Sequence, residues 1–482
     1  MTLTTVLLAI IIISNILLGF TVVFLERKSV SSTWAWLMIL NFIPIIGFFF
    51  YLIFGQNLSR RKIFKWDHLV HERTKERVAG QMQAIRDKSA PFTQPILRDY
   101  HGLIYMNLNN DEAPLSLNNK LDIYTDGEHK FRQLLEDIHN AQHHIHIEYY
   151  IFRSDFLGHE IIDALAEKAR QGVTVRLLVD DEGSRQLSKK LTRQLVKCGG
   201  KFQTFFPGRL PLLNMRINYR NHRKLVIIDG LIGYIGGFNV GDEYLGLNAK
   251  YGYWRDTHLR IIGGSVNSIQ ARFLLDWRQA SGEKVPFQEY YHLDDLRHYG
   301  DVGVQIVSSG PDRRWEQIKN AIIKMILSAK DYVYIQTPYL IPDDSLLNAI
   351  SIASLSNVDI RIMIPNKPDH PFVYWATYSN IGGLLEAGAR VFLYQNGFLH
   401  AKTIVVDGRL ASVGTSNIDY RSFSLNFEVN AFIYNEATAC ELAAIFLKDI
   451  KLSKELTMKD YRNRPMKIRF KESISRLMSP IL

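Results

Sequence analysis

The feature that most constrains this chain is a pattern that occurs twice. H-x-K-x4-D-x6-G-[GT]-x-N fits His222 to Asn239, and again His400 to Asn417, without a gap. Read as strand residues, a His and a Lys two apart share a face, so each pair projects into one site, and the aliphatic run that follows is core. Asp229-Gly230 and Asp407-Gly408 then turn the chain into a second strand. That makes each aspartate a hairpin and hydrogen-bonding element, since Asp229 lies seven residues from His222 and so on the other parity. A lone H-x-K beside a strand is ordinarily a solvated edge. Two copies with identical downstream spacing, each at the matching place in a repeat, point to a site.

The repeat extends well beyond the motif. Residues 141–148 (AQHHIHIE) match 329–336 (AKDYVYIQ), 173–179 match 358–364, and Cys198-Gly199-Gly200 matches Ala387-Gly388-Ala389. Helix and strand alternate in both copies, which predicts a duplicated α/β fold with mixed, largely parallel sheets flanked by helices. A chain of 482 residues accommodates two such domains and an appendage. The expected division is 121–295 for the first half, 296–482 for the second with a basic tail, and 59–120 for a polar, basic connecting region.

The first 58 residues read differently. Leu3 to Leu25 and Ser29 to Leu58 contain no charged residue, and about 20 apolar residues suffice to cross a bilayer as helix. Two transmembrane helices forming a hairpin are expected. A signal peptide would have a preceding basic residue and a small-residue cleavage site, and the chain has neither. Arg60, Arg61, Lys62 and Lys65 outweigh Glu26, Arg27 and Lys28, which places the long body in the cytoplasm. Trp34, Trp36 and Tyr51 suit interfacial positions.

The formal charge of +10 favours an anionic partner, and the apolar spans favour a lipid surface over nucleic acid. From Ser184 to Lys224 there are eleven basic residues and no acidic one, interleaved with Phe205, Phe206, Leu210, Leu212 and Leu213. That segment either rests on anionic headgroups or is a solvated basic loop; the tail from Lys451 to Arg476 invites the same reading. Cys198 and Cys440 form no metal-binding spacing. His143, His144 and His146 have Asp331, Tyr332 and Tyr334 as repeat counterparts, so they read as ordinary strand residues rather than a metal cluster. Gly236-Gly237 and Gly382-Gly383 lack a nucleotide-binding context.

The two motifs resemble the paired HKD motifs of the phospholipase D superfamily. The wider chain resembles bacterial cardiolipin synthases, through the hairpin from Trp34-Ala35-Trp36 to Phe54-Gly55 and the stretches at 241–246 and 253–256. The resemblance implies duplicated phospholipase D-like domains with the active site at their interface, and catalytic residues His222, Lys224, Asp229, His400, Lys402 and Asp407. It also implies a multi-pass cell-membrane enzyme acting on phosphatidylglycerol, with transfer of a phosphatidyl group from one such lipid to another. A phosphatidylserine synthase or phospholipase remains the alternative, and a nuclease would have no need of two spans.

The residue types fit that chemistry. One neutral imidazole attacks phosphorus, a protonated one gives its proton to the leaving alkoxide, and the lysines hold the phosphoryl oxygens. Asn239 and Asn417 can donate further hydrogen bonds to the phosphate, and the scheme requires no metal or cofactor. The two histidines are expected to differ in environment, one neutral and one charged. Each also needs an acceptor on its other ring nitrogen. The strand after each motif offers one, so Asp256 is expected to orient His222, and Glu428 to orient His400. The other reading of these carboxylates is a surface ion pair with a neighbouring arginine.

Overall fold

The structure, a computed structural model, describes residues 3–25, 30–54, 63–64, 68–89, 92, 94–207, 218–247, 252–291, 297–367 and 369–477. Glu26 to Lys28, Arg60, Arg61, Lys62 and Lys65, on which the orientation reading rests, lie outside them, as do Gly55, Leu210, Leu212 and Leu213.

Fifteen of the described strands form one continuous sheet whose two halves are built alike. In the first, His144–Tyr149, Thr174–Asp180 and Lys201–Phe205 run parallel. Leu225–Ile228, Ile232–Gly236 and His258–Gly263 continue the sheet antiparallel from the other side of His144–Tyr149. The second half repeats this with Tyr332–Gln336, Asp359–Pro365 and Arg390–Tyr394 parallel. Thr403–Val406, Leu410–Gly414 and Glu428–Tyr434 continue it antiparallel. The halves join where Ser116–Tyr124 pairs with Val302–Ser309.

The expectation of largely parallel strands is therefore corrected. Parallel neighbours need a crossover, which helices such as Phe156–Arg170 supply. After each motif the chain instead turns at Asp229-Gly230 or Asp407-Gly408, all four residues having φ between 52° and 65°, as a tight antiparallel hairpin requires.

The segment expected to be a connector is part of the body. Helices His68–Arg86, Pro95–Asp99 and His101–Asp111 lie over the second half, and Leu97, Leu103, Ile104 and Leu108 share its core with Ile318 and Ile322. The strand Ser116–Tyr124 straddles the expected boundary at residue 120.

At the N-terminus, Thr4–Phe24 is the one described helix long and apolar enough to cross a membrane. The hairpin of two spanning helices is not what the second apolar run forms. It divides into Val30–Phe42 and Pro44–Phe54, each short of a ~30 Å hydrocarbon layer at about 1.5 Å per residue. Pro44 supplies the break, having no N–H to donate and a ring that clashes with the preceding turn. Asn15 from the first helix donates to the carbonyls of Leu40 and Pro44 at the break, and Trp36 meets Tyr51 edge-on at 5.2 Å between the two short helices.

Candidate active site

The H-x-K segments do not lie within strands, as the sequence pattern suggests. Each precedes its strand and docks on the opposite half. The His222 N–H donates to the carbonyl of Phe427, and the His400 N–H to that of Arg255. Phe398–Leu399 pairs in parallel with Trp254–Arg255, and Asn221 forms an isolated parallel bridge with Phe427. Each histidine thus arrives beside the carboxylate that follows the other motif.

The pairing expected from the sequence is consequently reversed. His222 Nδ1 is 3.0 Å from Glu428 Oε2, and His400 Nδ1 is 2.5 Å from Asp256 Oδ2. Both carboxylates are fully buried, so these contacts are interior pairs rather than surface ion pairs. A bond from Nδ1–H to a carboxylate leaves each Nε2 as a lone-pair acceptor. The carboxylates are held in turn. Glu428 accepts from Thr415 Oγ1 at 2.5 Å, and Asp256 accepts the Thr257 N–H at 2.7 Å. Here the G-[GT] alternation acquires a reason: a side chain at Gly237 would collide with the Asp256 carboxylate, whereas Thr415 at the matching position donates to the longer Glu428.

The lysines complete one buried cluster. Lys224 Nζ donates to the His222 carbonyl at 2.6 Å, and Lys402 Nζ makes the equivalent bond to His400. Burial pushes Lys224 down to about 7 and Lys402 down to about 8. Both histidines are pushed down to about 4, chiefly by burial; for each, the lysines lower it further while its carboxylate opposes the shift. The protein surroundings thus depress the two imidazoles alike and do not themselves supply the difference expected between them. Burial raises Glu428, but His222, Lys224 and Thr415 outweigh it and hold the carboxylate below its ordinary range. An anionic phosphate among these groups would favour their charged forms, so proton uptake belongs to substrate binding.

Asp229 and Asp407, expected among the catalytic residues, sit at the hairpins and bond to backbone there. Asp229 accepts the backbone N–H groups of Gln142, His143 and His144, and Asp407 those of Lys330, Asp331 and Tyr332. They tie each hairpin to the start of the neighbouring strand. Asn239 donates to Tyr244 Oη at 2.9 Å and accepts the Ile151 N–H, so much of its amide is already engaged. Asn417 is buried, with its Oδ1 unpartnered.

Several neighbours escaped the sequence reading. Tyr150 packs edge-on against His222 at 4.8 Å, Trp254 lies 5.4 Å from the His400 ring, and Tyr244 Oη is 3.3 Å from His400 Nδ1. Tyr244 and Trp254 fall in the stretches that carry the family resemblance, though nothing in their spacing shows the contact. Behind the cluster, Arg223 pairs with Asp276 and Arg255 with Asp449, both at 2.9 Å. Of the histidine decoys, His144 and His146 are buried beside Gln270, and no described group of His, Cys, Asp or Glu has the arrangement of a metal site.

The family described as "Cardiolipin synthase, PLD-like domain" matches residues 134–277 and 322–450, the two segments that supply this cluster. The chain belongs to the cardiolipin synthase family. A "Phospholipase_D-nuclease N-terminal" family also matches residues 6–56. Cardiolipin synthase from Oceanobacillus iheyensis is 56% identical over 482 residues, and the major cardiolipin synthase ClsA of Bacillus subtilis is 53% identical over 482, each alignment covering 100% of both chains. Membership makes this chain a membrane-associated phosphatidyltransferase with phospholipid substrates. The crystal structure of phosphatidylserine synthase from Haemophilus influenzae shares the fold, with a TM-score of 0.61 at 16% identity, covering 81% of this chain and 100% of that one.

Proposed function

We propose that this cardiolipin synthase family member joins two phosphatidylglycerols through a phosphatidyl-histidine. The observation that carries the mechanism is the crossed cluster, in which each histidine is oriented by the other half's carboxylate and both lysines lie alongside. His222 Nε2 attacks the phosphorus of the first lipid. The bond to glycerol breaks, and His400, protonated when the anionic phosphate binds, gives its proton to the departing alkoxide. A second phosphatidylglycerol then enters; His400 takes the proton from its glycerol hydroxyl, that oxygen attacks phosphorus, and His222 is released. Lys224 and Lys402 hold the phosphoryl oxygens throughout, aided by Asn239 through Tyr244 and by Asn417.

The reading places the body on the cytoplasmic side of the cell membrane, after a crossing by the first apolar helix, and gives nucleic acid no part. The charge balance flanking the apolar runs supports that orientation. Cysteine labelling from outside intact cells tests it, and strong labelling of the body would refute it.

The reaction itself is tested by giving the purified full-length protein labelled phosphatidylglycerol. Cardiolipin and free glycerol are the expected products, and added glycerol should drive cardiolipin back. Phosphatidic acid as the main product would mean hydrolysis instead.

A further inference from the structure

The C-terminal helix Met466–Leu477 is docked the wrong way round for water. Its buried residues are polar: Glu472, paired with Arg464 at 2.8 Å, and Ser475. Four of its five apolar residues face outward, with Met466 86%, Phe470 67%, Ile474 40% and Leu477 80% exposed, while Ile468 is half-buried. At 3.6 residues per turn these four fall within an arc of about 80°. Lys467 and Lys471 border the arc on one side, and Arg469 and Arg476 on the other.

A helix in a soluble protein turns its apolar stripe toward the core. An outward apolar arc between two cationic edges is instead the pattern of a helix lying in the plane of a membrane interface. We propose that this helix seats on the bilayer, its apolar residues at the acyl boundary and its basic edges on anionic phospholipid headgroups. Charge complementarity selects that partner, since the helix's one acidic residue is buried and a second copy would set four cations against four.

The helix packs along Pro371–Glu386, with Lys471 Nζ 4.3 Å from the centre of the Trp375 ring. That helix starts beside Asp369, one of the negative charges that favour the charged form of Lys402. Phe372, on its first turn, is 48% exposed. Seating the C-terminal helix therefore brings this edge of the site to the lipid.

The test is independent of the reaction. Phe470→Cys, in a full-length chain carrying Cys198→Ser and Cys440→Ser, is labelled with an environment-sensitive fluorophore and reconstituted in phosphatidylglycerol vesicles. A lipid-borne quencher should extinguish most of the emission while aqueous iodide leaves it. Adding Lys467→Glu and Lys471→Glu should cut the lipid quenching several-fold. Free access of iodide, or a blue shift without lipid quenching as burial against a second copy would give, overturns the proposal. Unchanged quenching in the charge-reversed protein removes anionic headgroups as the partner.

Discussion

Glu428, which follows the second motif, lies 3.0 Å from the Nδ1 of His222, the histidine of the first. With its mirror contact between Asp256 and His400, it makes the active cluster a property of the joined halves, since neither half contains an oriented histidine of its own. Glu428→Gln should therefore disturb His222 and spare His400. Turnover is expected to fall by about 10²–10⁴-fold, the range for a positioned acid–base group. In 15N-histidine spectra the His222 tautomer should shift while His400 keeps its own. A shift at His400 instead would refute the crossed assignment.

Asp229 and Asp407 should matter to folding more than to chemistry. Each accepts three backbone N–H bonds at a turn with positive φ, a conformation that Asn also tolerates. Asp407→Ala removes three bonds to a charged acceptor, two of them exposed, and should cost on the order of 1–3 kcal/mol of stability. Asp407→Asn should retain most of the activity. A folded Asp407→Asn protein with activity as low as His400→Ala would restore the aspartate to the chemistry.

The duplication, the H-x-K pairs and the buried carboxylates could be read from the sequence because spacing and hydrophobic period record them directly. Their partnership could not. Asp256 follows the first motif in the chain, but which segment docks on which half is decided by the Asn221–Phe427 bridge and the Phe398–Leu399 pairing, contacts between segments far apart in the chain. The strand directions misled for a related reason, since the helical alternation dominates the pattern while the Asp-Gly turns reverse the chain. In the second apolar run, a hydropathy reading passes over Pro44, where the helix breaks. The near-equality of the two imidazoles reflects burial, which residue type alone does not disclose.

The pH dependence of kcat/KM should report the free enzyme. Both imidazoles are depressed to about 4, so the neutral His222 that attack requires is lost below that value, while the proton that His400 must carry is taken up with the substrate, which becomes harder as pH rises above it. Lys224 at about 7 and Lys402 at about 8 lose their positive charge as pH rises through those values, and the grip on the phosphoryl oxygens weakens with them. The profile should be bell-shaped, with an alkaline limb that steepens between about 7 and 8 as the lysines lose their charge. Lys224→Arg should move that limb upward in whatever activity remains, because a guanidinium stays charged. An alkaline limb unchanged by the substitution would mean that another group sets it.

The roles of the two histidines can be separated through the leaving group. If His400 serves to protonate departing glycerol, a phosphatidyl ester of p-nitrophenol, whose anion leaves without a proton, should bypass it in the first step. The His400→Ala protein should then release nitrophenolate in a burst of about one equivalent and stall, because the second step still lacks a base to activate the incoming hydroxyl. The stalled protein should carry the phosphatidyl group on His222, recoverable by acid-avoiding peptide mapping. His222→Ala should give no burst with either ester, having lost the nucleophile itself. A burst from His222→Ala with label on His400 would exchange the two roles. Equal steady release from both variants without an adduct would indicate direct displacement and end the covalent mechanism.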